Sequence, residues 1–306
     1  PAAHWVFAFD GAVSEKGGFI ANTIHALDFA GGTAIHINAG AGALALALVL
    51  GKRIGFGKVP MRPHNLTLVM LGAALLWIGW FGFNAGSALG ANELAGLTWV
   101  NTMVCPAATM LAWLVTERIR DGHATSLGAA SGIVAGLVAI TPACAVVTPL
   151  GAIVIGILAG VGCSMALSLK YRWGYDDSLD VVGVHLVGGL IGTLAIGFLA
   201  SPDLTGSIDS AGLFYGGGLA QLGRQAAGAA IVLAYSLVVT WLIAQAIDKT
   251  IGLRVTPAQE TSGIDLAEHA EVGYDLSKVQ YSTYNKTLLI ADPNATRDND
   301  ATKVSA

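Results

Sequence analysis

Seven stretches of this sequence are each long and apolar enough to cross a lipid bilayer, and they constrain the fold more than any other feature. A helix needs about 20 mainly apolar residues to span the hydrocarbon core, where only helices and closed barrels satisfy all of their backbone hydrogen bonds. We therefore predict an all-α fold, a polytopic transmembrane helix bundle with seven spans. The predicted spans lie near residues 28–50, 66–89, 97–117, 126–146, 149–169, 180–200 and 226–248.

The composition supports a membrane protein and disfavours several other classes. Of the 306 residues, 54% are hydrophobic and only 12% are charged, against roughly 25% charged residues in soluble domains. The 40 glycines favour close packing of transmembrane helices. A net charge of -4 provides no basic stripe, so we expect no nucleic acid partner. The three cysteines lie far apart among apolar residues, as expected of small buried hydrophobes rather than of a disulfide or a metal site.

Lys and Arg in the loops predict an orientation in the membrane. Basic residues follow the first, third, fifth and seventh spans, and the positive-inside rule places such loops in the cytoplasm. We therefore predict a cytoplasmic C-terminus and an outside Pro1. An outside start with neither an initiator Met nor a basic signal region favours a later part of a longer chain, with N-terminal processing as the alternative. The basic residues of these loops are Lys52, Arg53, Lys58, Arg62, Arg118, Arg120, Lys170, Arg172, Lys249 and Arg254.

The character of the sequence changes after Gly252. Residues 1–251 form the predicted transmembrane domain, whereas residues 252–306 contain no apolar run of spanning length. The first part, residues 252–276, mixes apolar and charged residues, as in a segment that docks on a membrane domain. Residues 277–306 have the polar composition of a flexible tail.

Two of the seven histidines lie inside predicted spans, His36 in DFAGGTAIHINAG and His185 in DVVGVHLVGGLIGTL. An ionisable residue at membrane depth is a functional-site hypothesis by default. Glycines four or seven residues away share a helical face with each histidine and let a neighbouring backbone approach. One such histidine is well explained as a buried neutral imidazole, but two of them favour a shared pore lining. A zinc site is poorly supported, because no third ligand lies at depth beside them.

Asp28 and Asp180 open the two histidine-containing spans, and each carboxylate is positioned to cap a helix. The predicted topology puts them at opposite ends of the bundle, so they cannot share a site. Asp28 has a second interpretation, since its charge would attract cations on the outer side. On this reasoning alone we favour capping for both residues.

The second span contains an aromatic cluster, LLWIGWFGFNAGSAL, toward its outer half. Aromatic residues at such a depth are typical of the interfacial belt of membrane proteins. The alternative is a cation site, in which an aromatic face and the Ser87 hydroxyl replace part of the hydration shell of an ion. Composition alone favours the belt.

Six motifs resemble the ammonium transporter / methylammonium permease / Rhesus family, and most closely its ammonium transporter branch. They are LDFAGGTAIHINAG, GWFGFNAGSA, ANELAGLTWVNT, GIVAGLVAITPACA, DVVGVHLVGGLIGT and GLRVTPAQETSGIDLAEHAEVGY, and the resemblance extends over residues 1–275. It implies an eleven-span fold, of which this chain carries the fifth to the eleventh, and a homotrimer with one pore in each subunit. Residues 1–251 would then be a pore domain truncated at its N-terminal side, and residues 252–276 a cytoplasmic regulatory segment.

The same resemblance implies two groups of site residues. His36 and His185 match the paired pore histidines of the family. Phe7 stands where the family often has a tryptophan, so its aromatic face would be a weaker cation ligand. The expected outer recruitment site and gate consists of Trp80, Phe83, Ser87, Asp28 and Phe7.

We therefore expect transport of ammonium, and of methylammonium as its analogue, across the cell (plasma or inner) membrane. Ammonium would be recruited outside and deprotonated, and ammonia would be conducted past the histidine pair. An ammonium sensor of the same fold, signalling through its cytoplasmic tail, is the alternative. The resemblance also implies a PII-type signalling protein as a partner at the cytoplasmic face. The sequence offers no nucleophile–base set and no Lys in its last span for a retinal Schiff base, so we expect neither an enzyme nor a cofactor.

Overall fold

Helices account for all the regular secondary structure in the part of the chain that the computed structural model describes, residues 1–12 and 15–274. The predicted all-α helix bundle is therefore confirmed. The predicted tail, residues 277–306, lies outside the described residues. The chain divides into one unit that ends at Leu253 and a second that begins at Arg254. The domain boundary after residue 251 stays a prediction.

Seven helices of at least 15 residues form the first unit, counted over its described residues. We number them α1 (Gly32–Leu50), α2 (Leu66–Gly86), α3 (Glu93–Asp121), α4 (Ser126–Ile140), α5 (Pro149–Ala166), α6 (Val182–Leu199) and α7 (Ala220–Thr250). Shorter helical segments are Ala2–Phe7, Ile20–Ile24, Leu169–Trp173, Pro202–Thr205, Ile208–Ser210 and Leu213–Tyr215.

Six of these helices are long and apolar enough to cross a membrane, and α4 is the exception. The predicted fourth span reached residue 146, but α4 has 15 residues and ends at Ile140, before turns over residues 141–146. Pro142 lies two residues after Ile140, and a proline has no backbone N–H with which to continue the helical hydrogen-bond pattern. The count of seven spans therefore remains a prediction.

Capping side chains explain where four of the helices begin. Side-chain oxygens accept a hydrogen bond from the backbone amide three residues on, which satisfies an amide that has no partner within the helix. These caps are Asn65 for α2, Asn92 for α3, Thr125 for α4 and Thr148 for α5.

Close backbone contacts hold α5 against α3, as the glycine content of the sequence predicted. A β-carbon at Gly156 would lie 2.5 Å from the carbonyl oxygen of Cys105, and one at Gly160 would lie 2.5 Å from that of Thr109. Helix α4 packs beside both of them and against α2 and α6. Its last residues are fully buried, so α4 lies at the centre of the bundle.

The second unit, described over residues 254–274, contains two short helices, Pro257–Ser262 and Ile264–His269. Thr256 and Gln259 form a capping box at the start of the first helix. The Arg254 guanidinium lies 2.9 Å from the Glu260 carboxylate.

We predict that Gly160→Val destabilises the protein by about 1–3 kcal/mol, because the added atoms must fit against a backbone that already lies in contact. The free energy of unfolding of the full-length protein in detergent measures the effect. Gly223→Ala in α7 is the control, since nothing lies within 4 Å of the added β-carbon. Equal stability of the Gly160→Val variant and the control would contradict the close packing of α3 and α5.

Candidate functional site

Both histidines lie on π-helical turns at the start of a long helix. His36 is in the segment Gly32–Ile37 that opens α1, and His185 is in the segment Val182–Leu186 that opens α6. Such turns are rare and are often found at functional sites. The two segments contact each other, and the histidines meet at this contact.

The imidazole rings of His36 and His185 are joined by a hydrogen bond between their Nδ1 atoms, 3.2 Å apart. The ring centroids are 5.3 Å apart and the ring planes are inclined by 33°. His36 is almost fully buried, and its Nε2 atom has no protein partner among the described residues.

One Nδ1 atom must donate this bond and the other must accept it. In a pair of neutral rings, the donor ring then has a lone pair on Nε2 and the acceptor ring has an N–H there. The pair therefore presents one acceptor and one donor to whatever lies beside it, whichever ring donates.

Two glycines allow the helices to cross closely enough for this bond. A β-carbon at Gly40 would lie 2.4 Å from the amide nitrogen of Leu186, and one at Gly189 would lie 3.1 Å from the Ile37 side chain and 3.2 Å from Cβ of His36. Each glycine follows its own histidine by four residues and meets the residues around the partner histidine. The crossing is therefore nearly symmetric.

Asp28 satisfies four backbone amides at the start of the α1 π turn. Its carboxylate oxygens accept hydrogen bonds of 2.7–3.0 Å from the amides of residues 31, 32, 33 and 34. The capping role that the sequence favoured for Asp28 is therefore present.

The prediction that Asp180 caps the second histidine helix is wrong. Asp177 does so instead, accepting hydrogen bonds from the amides of Val181 at 3.0 Å and Val182 at 2.7 Å. Asp177 precedes His185 by eight residues, as Asp28 precedes His36. The repeated spacing was the signal that could have identified Asp177.

Charged side chains surround the start of α6. Asp180 forms an ion pair with Lys170, with 2.5 Å between Oδ1 and Nζ. Asp176 accepts hydrogen bonds from the Arg53 guanidinium at 2.9 and 2.8 Å. Burial opposes ionisation of Asp176, but the bonds from Arg53 hold its pKa below the ordinary value. Asp176 is therefore a charged link between the start of α6 and the loop that follows α1.

Trp80 and Phe83 of α2 lie beside His36. The Trp80 ring stacks on the imidazole with a centroid distance of 5.4 Å and an interplanar angle of 17°, and the Phe83 centroid is 6.3 Å away. Trp80 donates a hydrogen bond from Nε1 to Oγ1 of Thr141 at 2.9 Å. Thr141 was not identified from the sequence, where no pattern links it to the second span.

Ser87 and Phe7 lie apart from this contact. Ser87 follows the end of α2, and its hydroxyl donates a hydrogen bond of 2.9 Å to the Phe83 carbonyl oxygen. Phe7 packs in a different apolar cluster, with Ile20 and Ala34 among its members. Within the described residues, no ring contact joins Phe7 to Trp80 or Phe83. The structure brings Trp80, Phe83 and the histidines together, but it does not bring Phe7 to them.

A cavity of about 720 Å³ is lined by His185 and by residues 178–180, which precede α6. Helices α2 and α4 form much of its wall, which is mainly apolar. Its lining residues include Leu76, Ser131, Val134, Val184, His185 and Asp180.

These features define a multi-pass helical membrane protein built around a hydrogen-bonded histidine pair and an adjoining cavity. Residues 1–274 match the sequence model described as the Ammonium Transporter Family. The chain belongs to this family, as the sequence motifs predicted.

Known proteins agree with this assignment. The "Ammonium transporter" of Mycobacterium tuberculosis (strain ATCC 25618 / H37Rv) is 59% identical over 311 residues, which cover 100% of this chain and 65% of the relative. The crystal structure of Candida albicans Mep2 aligns with a TM-score of 0.77 and 34% identity, over 85% of this chain and 57% of that one. A structure called "Sensor Amt Protein" aligns with a TM-score of 0.77 and 32% identity, over 86% and 65%. The chain thus spans 65% of the length of the Mycobacterium tuberculosis relative, and 57% and 65% of the two solved chains.

We predict that Asp28→Ala lowers the stability of the protein far more than an exposed Asp→Ala change does. The substitution leaves four backbone amides without their acceptor, and each buried donor left unsatisfied costs about 1–3 kcal/mol. Thermal unfolding of the full-length protein in detergent provides the measurement. Asp203→Ala, at an exposed position of the short helix Pro202–Thr205, is the matched control. Similar melting temperatures for both variants would show that Asp28 is not required for the α1 start.

Proposed function

We propose that the protein containing this chain transports ammonium across a membrane by releasing its proton and conducting ammonia past His36 and His185. The observation that carries the proposal is the Nδ1–Nδ1 hydrogen bond between the buried His36 and the half-buried His185. Membership of the Ammonium Transporter Family and relatives named ammonium transporters support the choice of cargo.

The cost of burying a charge explains why the proton is released. A cation at the centre of an apolar bundle loses its hydration, which is expensive unless it is paired. Neutral ammonia avoids this cost. Potassium has no proton to lose, so a step that requires deprotonation excludes it, although ammonium and potassium are similar in size.

The histidine pair suits neutral ammonia as a passing molecule. Ammonia has one lone pair and three N–H groups, and the pair presents one donor and one acceptor on its Nε2 atoms. The two histidines thus offer ammonia both a hydrogen-bond donor and a hydrogen-bond acceptor within an otherwise apolar wall. An imidazole can also accept a proton at one ring nitrogen and give one up at the other, so the same pair is suited to relay the proton that ammonium loses.

An outer recruitment site is proposed at the C-terminal end of α2, whereas the cavity is lined by the N-terminal half of this helix. Trp80 and Phe83 offer ring faces, their centroids 5.4 Å apart, and cations bind favourably to such faces. Ser87 donates its hydroxyl proton to a carbonyl, which leaves its oxygen lone pairs to accept from ammonium. Asp28 adds a negative charge close to His36, and Phe7 is the fifth proposed member.

The proposal extends to the whole protein. Residues 1–251 would form the pore domain, residues 252–276 a cytoplasmic regulatory segment and residues 277–306 a flexible tail. The protein would lie in the cell membrane, and the basic loops support a C-terminus on the cytoplasmic side. A homotrimer and a PII-type partner at the cytoplasmic face follow from the family resemblance.

Ammonium sensing is the second candidate function. The observation that favours it is the similarity to the structure called "Sensor Amt Protein". In a sensor, binding at the same site would be passed to the segment from residue 252 onward.

We predict that the double variant His36→Ala, His185→Ala loses ammonium-dependent current, because no donor and acceptor remain in the apolar wall. Solid-supported membrane electrophysiology on the full-length protein in liposomes measures this current. His123→Ala, on an exposed loop, is the control and should retain it. A current of similar size in the double variant would refute the proton-relay role, whereas no current in the unmutated protein would favour the sensor.

We predict that Ser87→Ala raises the half-saturating ammonium concentration about tenfold or more, with the maximal current largely kept. A hydrogen bond to a charged group contributes about 1.5–3 kcal/mol, and 1.4 kcal/mol corresponds to tenfold in affinity. Ser87→Thr retains a hydroxyl and should stay close to the unmutated protein. An unchanged concentration dependence in Ser87→Ala would remove Ser87 from the recruitment site.

A further inference from the structure

The two histidine helices start from the same nine-residue plan. The segments DFAGGTAIH (28–36) and DSLDVVGVH (177–185) each begin with an aspartate that accepts hydrogen bonds from helix amides and end with a histidine of the hydrogen-bonded pair. The fourth residue of each has a positive φ, +118° at Gly31 and +59° at Asp180. The backbone therefore makes the same left-handed step at both helix starts.

Asp180 is not the residue that this backbone step favours. Glycine adopts positive φ at little cost, and Gly31 does so in the first copy of the plan. An L-residue with a β-carbon adopts this region at a cost of roughly 1–2 kcal/mol, although aspartate tolerates it better than most. Such strain at a defined position points to a function of the side chain.

The carboxylate of Asp180 and the backbone carbonyl of Asp177 together bind the side-chain ammonium group of Lys170. Nζ of Lys170 lies 2.5 Å from Oδ1 of Asp180 and 3.1 Å from the carbonyl oxygen of Asp177. Lys170 is only 8% exposed, which is unusual for a lysine. Asp180 also lines the cavity that reaches His185. We call this end of the cavity, with Ser178, Leu179 and Asp180 in its lining, the Asp180 mouth.

The side-chain head group of lysine is chemically a substituted ammonium ion. It has a full positive charge and three N–H donors, as ammonium has four. A carboxylate and a carbonyl oxygen that bind the one are suited to bind the other. Covalent attachment keeps Lys170 at a high effective concentration beside them, so a free cation competes poorly.

We propose that Lys170 fills a cation-binding site at the Asp180 mouth with its own ammonium group, and so prevents this mouth from retaining ammonium. Lys170 thereby determines the affinity of one end of the pore for the cargo. This inference rests on the proposed function, in which ammonia passes His185 and is protonated again beyond it. A strong cation site at that position would hold the product and slow its release.

Chemical rescue of Lys170→Ala tests the proposal. The variant removes the tethered ammonium group and leaves Asp180 and the Asp177 carbonyl without it. In detergent with sodium chloride, we expect the full-length Lys170→Ala variant to have a lower Tm than the unmutated protein. Ammonium or methylammonium chloride at the same ionic strength should then raise the Tm saturably, by more than it raises the Tm of the unmutated protein. A ligand that binds the folded state but not the unfolded state produces such a shift.

Two control variants make the result specific. Lys170→Ala, Asp180→Asn lacks the carboxylate and should show no extra rise with ammonium. Lys170→Met fills the space with an apolar chain and should show none either. Equal ammonium responses of Lys170→Ala and the unmutated protein would overturn the proposal.

Recovery of the variant is informative in itself. Folded Lys170→Ala that is obtained in ammonium chloride but not in sodium chloride would support the proposal. If neither salt yields folded protein, Lys170→Ser, whose short side chain also leaves the space open, replaces it. A Tm response of that variant to ammonium no larger than that of the unmutated protein would overturn the proposal.

Flux measurements separate this inference from the proposed function. In liposomes with ammonium added on the side of the Asp180 mouth, Lys170→Ala should saturate at a lower concentration than the unmutated protein. Absence of ammonium flux in the unmutated protein would refute the proposed function. Intact flux with the same saturation in both proteins would refute the role of Lys170 alone.

Discussion

The crossing of α1 and α6 is the constraint on which the rest of the site depends. Imidazole side chains are short, so a hydrogen bond of 3.2 Å between His36 and His185 requires two backbones in near contact. Glycine at positions 40 and 189 provides this contact by leaving out the side chain. In lipid, apolar side chains gain little by leaving their surroundings, and close van der Waals packing stabilises helix association instead.

The same crossing explains why each histidine helix needs an aspartate. The first amides of a helix have no partner within it, and water is scarce where these helices begin. A carboxylate from outside the helix supplies the missing acceptors, four times for Asp28 and twice for Asp177. The site is thus held by backbone groups and by two charges that those groups stabilise.

Patterns along the chain predicted the helices and the two histidines, because apolar length and glycine spacing are local properties. The end of α4 at Ile140 was missed, since the apolar run continues past Pro142. Asp177 was missed because capping rules examine the residue next to the helix, whereas the left-handed step at Asp180 places the cap further back. The contact of Trp80 with His36 depends on which helix lies beside α2, and one sequence does not contain that information.

The two helix starts share a backbone and differ in charge, and this difference has a defined physical consequence. The residue with positive φ is Gly31, which has no side chain, at the first helix start, whereas at the second it is Asp180, whose carboxylate is paired with Lys170. Unequal ends cannot set the direction of net transport through a passive pore, because the gradient alone determines it. They change the ammonium concentration at which each side saturates. A lysine that occupies one end therefore alters the kinetics of exchange and leaves its equilibrium unchanged.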